Sequence, residues 1–183
     1  MSLFHEPTLS DFAAGPESQP FPQPGKRKRS SRSRATKPRR ALFLDFDGVL
    51  HPKTIEADIE TDAPAIFTSH FGWLPALVGV LRTHADVVIV VHSTRRYTPD
   101  AEELKLLLGA LGPRFVGATP KGPRYPSIAW WLHMNPQFAN HRILDDDASE
   151  FPTPPPPELI LCNPTTGVAA PEVLVALRNW LEK

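Results

Sequence analysis

Short apolar runs, each closed by a polar or acidic residue, constrain the fold of this 183-residue chain more than any other feature. Residues 41–46 (ALFLDF), 86–91 (DVVIVV), 114–119 (RFVGAT), 141–144 (HRIL) and 158–163 (ELILCN) read as buried strands. Runs this short suit strands covered on both faces, above all the β-branched one at 86–91. Helical patterns lie among them. Residues 73–84 put Leu74, Leu77, Val78 and Leu81 on one stripe, and 98–111 open with a capping residue, a proline and acids before turning apolar. Residues 126–135 carry Ile128, Trp131 and Leu132 on one side, and 171–183 form a closing helix. Of the adjacent pair Trp130 and Trp131, one is expected in the core and one outside. No internal repeat is present. Strands alternating with helices predict βαβ units: a three-layer α/β sandwich around a mainly parallel five-stranded sheet. Such sheets bind ligands at the carboxyl ends of their strands. Asp45, Asp47, Ser93 and Asp145 to Asp147 all follow apolar runs, so they should gather at that edge.

Residues 1–40 are a different kind of chain. They are rich in Pro, Ser, Gln, Lys and Arg without apolar periodicity, and read as a disordered arm ahead of a body at 41–183. The arm holds nine Lys/Arg against three acids, while the body holds eleven against seventeen, so a formal net charge of zero hides +6 and −6. The basic half, GKRKRSSRSRATKPRR, suits attraction to nucleic-acid phosphates, a nuclear address, or simple solubilisation. The single Cys162 permits no intrachain disulfide. No apolar run approaches the roughly 20 residues of a membrane span, and the N-terminus lacks a secretory pattern. A cytoplasmic protein with no membrane partner is expected.

The chemistry lies in the acids. Clustered carboxylates repel unless a cation holds them, and hard oxygen ligands suit Mg²⁺ together with substrate phosphate oxygens. A carboxylate can attack phosphorus to form an aspartyl-phosphate, and a second carboxylic acid can protonate the leaving oxygen. Gly48 lets the chain turn away behind Asp47. His51, His92 and His133 show no zinc-like spacing, and His92 reads as structural. The stretch 151–159 (FPTPPPPEL) reads as a stiff surface linker.

This layout resembles the haloacid dehalogenase (HAD) superfamily of phosphatases. DFDGV resembles its first motif, VVIVVHST its second and ILDDD its fourth. LFLDFDGVLHP, VVIVVHSTRR, ILDDD and TTGVAAPEVLVAL together resemble, more closely, the small HAD domains associated with bacterial RNA-repair proteins. The resemblance covers about residues 41–183. It implies a Rossmannoid sandwich in which Asp45 is the nucleophile and Asp47 the general acid/base, its backbone carbonyl joining Asp45, Asp145 and Asp146 around Mg²⁺. It implies Ser93 as a hydrogen-bond donor to the phosphoryl group, with Thr94 able to share that task. The register within Asp145 to Asp147 stays open. The third motif, a basic residue for the phosphoryl group, falls on Arg124 or Lys121, with Arg124 favoured for its place nearer the helix start. Arg95 stands where related domains carry Trp, and either Arg95 or Arg96 is a candidate phosphate contact. Segment 51–72 suits a flap and leaves no room for a large cap. An open site predicts a phosphorylated substrate with a bulky end, such as nucleic acid held through the basic arm. A phosphatase for small metabolites or phosphoproteins is the second reading, and an inactive nucleic-acid-binding adaptor the third.

Overall fold

A computed structural model of the chain describes residues 40–53, 71–94 and 100–183. The arm through residue 39, most of the expected flap (54–70), and Arg95 and Arg96 lie outside the described residues. Five strands form one sheet: β1 (Arg40–Leu44), β2 (Val87–Val91), β3 (Phe115–Ala118), β4 (His141–Asp145) and β5 (Leu159–Leu161). Their order is β3-β2-β1-β4-β5 and every pairing is parallel. Among the described residues four α-helices accompany them: α1 (Leu74–Leu81), α2 (Ala101–Leu107), α3 (Arg124–Met134) and α4 (Pro171–Leu181). Among the described residues no helix is long and apolar enough to cross a membrane.

The central strand explains the layers. Alternate residues of a strand face opposite sides. Leu42 and Leu44 pack with Leu77 and Leu81 of α1, Leu104 of α2, and Val173 and Leu177 of α4. Ala41 and Phe43 face the other way, onto Ile128 and Trp131 of α3. Phe43 meets Trp131 edge to face at 5.4 Å between centroids, a favoured aromatic geometry. Trp131 is therefore the buried partner of the Trp pair, and Trp130 is exposed. The 152–157 proline stretch runs over the surface with Phe151 anchored in the core beneath it.

At β1, α2 and α3 the boundaries differ from the sequence expectation, each for a local reason. The first strand begins at Arg40 rather than after it. The Arg40 guanidinium grips both Asp86 oxygens at 2.7 and 3.0 Å, donates to the Leu181 carbonyl and lies over Trp180. A charged residue so satisfied can be buried. The same strand stops at Leu44, two residues early, because Gly48 turns with φ +72° and the backbone amides of Val49 and Leu50 bond back to the Phe46 carbonyl. Helix α2 starts at Ala101 behind a full capping box: Asp100 accepts from the Glu103 amide, and Glu103 accepts from the Asp100 amide. It ends early, at Leu107, where Gly109 takes a positive φ, followed by a 3-10 turn through Pro113. Helix α3 starts at Arg124, two residues before Pro126. A proline in the first turn lacks only an N–H that would have had no helical partner. That early start brings Arg124 to the mouth of the sheet.

Candidate active site

Each acidic side chain at the sheet edge is delivered by a strand end. Asp45 follows β1 and its amide donates to the Leu144 carbonyl on β4. Asp145 closes β4, with Asp146 next. Because β1 and β4 are neighbours in parallel register, their ends coincide. Asp45 and Asp145 are buried, and the Asp146 side chain is 3% exposed. Among the described residues, Asp45, Asp145 and Asp146 each offer an oxygen within 4.8 Å of the others.

Two cations answer this cluster. Arg124 Nη1 donates to Asp45 Oδ2 at 2.6 Å and to both Asp145 oxygens at 2.7 Å. Burial alone would lower the Arg124 pKa; the Asp45 and Asp145 carboxylates outweigh it and hold the guanidinium above its ordinary value. Lys53 Nζ reaches Asp146 Oδ2 at 3.3 Å from the exposed side. Charge balance nevertheless stays on the negative side. Asp145 is pushed up to about 6, first by burial and then by Asp45 beside it, against the pull of Arg124. The buried Cys162 thiol, just after β5, is pushed up to about 12 by burial and then by the fields of Asp145, Asp146 and Asp45.

A divalent cation fits this donor set. Three carboxylates converge, and Asp146 Oδ1 is buried with no hydrogen-bond partner among the described residues. An orphaned buried carboxylate oxygen is costly unless something binds it. The residue behind the first pair must also be glycine, since a Cβ at Gly48 would fall on the Asp146 carboxylate. All-oxygen ligands favour Mg²⁺ or a similar hard ion.

The structure separates the expected site residues. Asp45, Asp145, Asp146 and Arg124 come together. Asp47 lies in the loop after β1, 28% exposed, with its carboxyl turned to His51. Ser93 is fully buried just after β2, and Thr94 beside it is exposed. Lys121 is exposed in the β3–α3 loop, whereas Arg124 makes the carboxylate contacts. Asp147 turns away from the cluster: its Oδ1 accepts from the Ser149 amide and hydroxyl, which hold its carboxyl below the usual range.

Three contacts were not foreseen in the sequence. Lys53 pairs with Asp146. His92 Nε2 bonds the Leu144 carbonyl at 3.2 Å, which leaves Nδ1 facing Asp145 Oδ2 at 3.5 Å. His51 Nε2 lies 3.1 Å from Asp47 Oδ1. The last had a visible signal, a histidine four residues after the second motif acid in DFDGVLH.

Residues 41–173 match the sequence family described as “HAD domain in Swiss Army Knife RNA repair proteins”. No curated protein and no solved structure matches the chain.

Proposed function

The chain belongs to the family of HAD domains found in Swiss Army Knife RNA repair proteins, and from that premise we propose that it is a Mg²⁺-dependent phosphomonoester hydrolase acting on phosphorylated nucleic-acid ends. The observation that carries this reading is the contact of one guanidinium with both Asp45 and Asp145 inside a converging acid cluster. A carboxylate held that way is aimed, as a nucleophile must be.

In this reading Asp45 attacks phosphorus. The bond from phosphorus to the ester oxygen breaks, and Asp47 gives that oxygen a proton. Asp47 then takes a proton from water, which attacks the aspartyl-phosphate and releases inorganic phosphate and free Asp45. Asp45, Asp145, Asp146 and the Asp47 carbonyl would hold Mg²⁺, which offsets the charge on the phosphoryl oxygens when bound. Arg124 Nε is buried with no hydrogen-bond partner among the described residues, so the guanidinium keeps a donor for the phosphoryl group while Nη1 grips the acids. Ser93 and Thr94 stand at the neighbouring strand end for the same purpose, with Lys121 as a more peripheral cation. Arg95, Arg96 and the basic arm would contact the rest of the strand.

The test is phosphate release from oligonucleotides carrying a 3′- or 5′-phosphate, with p-nitrophenyl phosphate alongside. Release that needs Mg²⁺ and disappears in Asp45→Asn is the expected result. Turnover of the small ester alone would move the substrate class to small metabolites. Binding of nucleic acid that survives Asp45→Asn, with no release from any ester, would make the chain an adaptor instead.

A further inference from the structure

His51 is buried in the loop that follows β1. Its Nδ1 lies 2.8 Å from the Pro52 carbonyl oxygen. A carbonyl can only accept, so Nδ1 carries the hydrogen and donates it. The other nitrogen of a neutral ring then presents a lone pair. That nitrogen, Nε2, is buried and lies 3.1 Å from Asp47 Oδ1. A carboxyl and an imidazole nitrogen this close hold each other in place through a proton carried by either one. The ring is also fixed from behind. It packs on Phe71 with centroids 5.6 Å apart, and the Asp47 and His51 backbones form an isolated bridge in which the Gly48 amide donates to the His51 carbonyl.

We infer that His51 is a positioning residue, one that holds the Asp47 carboxyl in the orientation from which it gives its proton to the leaving oxygen. The inference rests on the reading of Asp47 as the proton shuttle and adds the group that aims it. Asp47 gives the leaving oxygen the proton it carries on Oδ2 and regains one there from water, while the Oδ1 contact with His51 keeps the carboxyl from rotating between the two steps. A merely structural histidine would affect all substrates alike. A positioning residue for proton donation matters only where the leaving oxygen needs a proton. A sugar alkoxide needs one; p-nitrophenolate leaves without it.

The full chain and its His51→Ala and His51→Gln variants would therefore be compared on p-nitrophenyl phosphate and on the oligonucleotide phosphate that the wild type turns over faster. His51→Ala should lose about tenfold or more in kcat/KM on the oligonucleotide beyond any loss on p-nitrophenyl phosphate, a fraction of what general acid catalysis supplies. His51→Gln, whose amide N–H can reach the carboxyl, should recover part of that loss. Equal losses on both esters, or none on either, overturn the inference alone. A wild type that turns over only p-nitrophenyl phosphate overturns it too, since no leaving oxygen is then protonated. A wild type without any release overturns it together with the proposed hydrolase. Should His51→Ala fail to fold, ¹⁵N resonances of the wild-type imidazole decide. Protonated Nδ1, and an Nε2 signal that moves in Asp47→Asn, are expected; unprotonated Nδ1 overturns the inference.

Discussion

Asp145 carries the conflict of the whole site in one carboxyl. It is buried against another acid, so its charged form is disfavoured, yet it has to be ionised to bind a cation. Its pKa of about 6 in the folded chain, against the ordinary 3.8, fixes two signs. A raised carboxyl pKa means the folded chain holds a proton that the unfolded chain has lost. This contribution to stability is full below about 4 and disappears as the pH rises through about 6. With Mg²⁺ removed, wild type should therefore gain stability relative to Asp145→Asn as pH drops from 7 to 4, read from urea midpoints of both proteins. With Mg²⁺ present, proton and metal compete for the same oxygens. Below pH 6 the apparent Mg²⁺ affinity should fall by about tenfold per pH unit, because one proton must leave for each ion bound. Isothermal titration at pH 7, 6 and 5 measures this, and a flat affinity would remove Asp145 from the metal site.

The elements differ in what they hold. Helix α3 carries Arg124 at its first position and is seated by Trp131 on Phe43. Helix α2 presents a capping box at the surface and carries none of the clustered groups. Phe43→Ala should cost about 3–5 kcal/mol of stability, since it empties a fully buried site under α3. Asp100→Ala should cost only about 1 kcal/mol through the missing cap, and should leave turnover unchanged. Denaturant midpoints and initial rates on both variants test the contrast. The sequence carried the strands and their ends because fully buried parallel strands need nearly unbroken apolar runs, and the change to Asp145 or Asp45 is abrupt. It did not carry the start of α3, since Pro126 looks like a first residue although a proline is tolerated anywhere in the first turn. Arg40 read as arm because its local company is basic, while its partners Asp86 and Leu181 are distant in the chain. The acid cluster was legible from motif and strand order together. The Lys53 partner of Asp146 was not, because that pairing spans 93 residues of chain; the His51 partner of Asp47 had only its four-residue spacing as a signal. Lys121 and Arg124 were equal as charges, and only the helix start separates them.

Across the whole molecule the charge is split. With Arg40 assigned to β1, residues 1–39 hold eight Lys/Arg against three acids, a formal +5, and residues 40–183 hold −5. A body of that sign repels a polyanion at long range, and part of its negative charge is the acid cluster itself. If the substrate is a nucleic-acid end, attraction has to come from the arm. Such attraction releases counterions and is steeply salt-dependent, with a slope of about −0.7 per phosphate neutralised on a single strand. Replacing the eight basic residues from Lys26 to Arg39 by Gln in the full chain should lower kcat/KM on oligonucleotides at low salt. It should also flatten the plot of log kcat/KM against log salt by about 0.7 for each phosphate the arm no longer neutralises. Beyond a few hundred millimolar salt the two proteins should converge, since screening then does what the substitutions did. On p-nitrophenyl phosphate the rates should agree at every salt concentration, because a small ester needs only the sheet edge. An unchanged salt slope on oligonucleotides would separate the arm from catalysis and leave the acidic body to select substrates by the shape of the sheet edge alone.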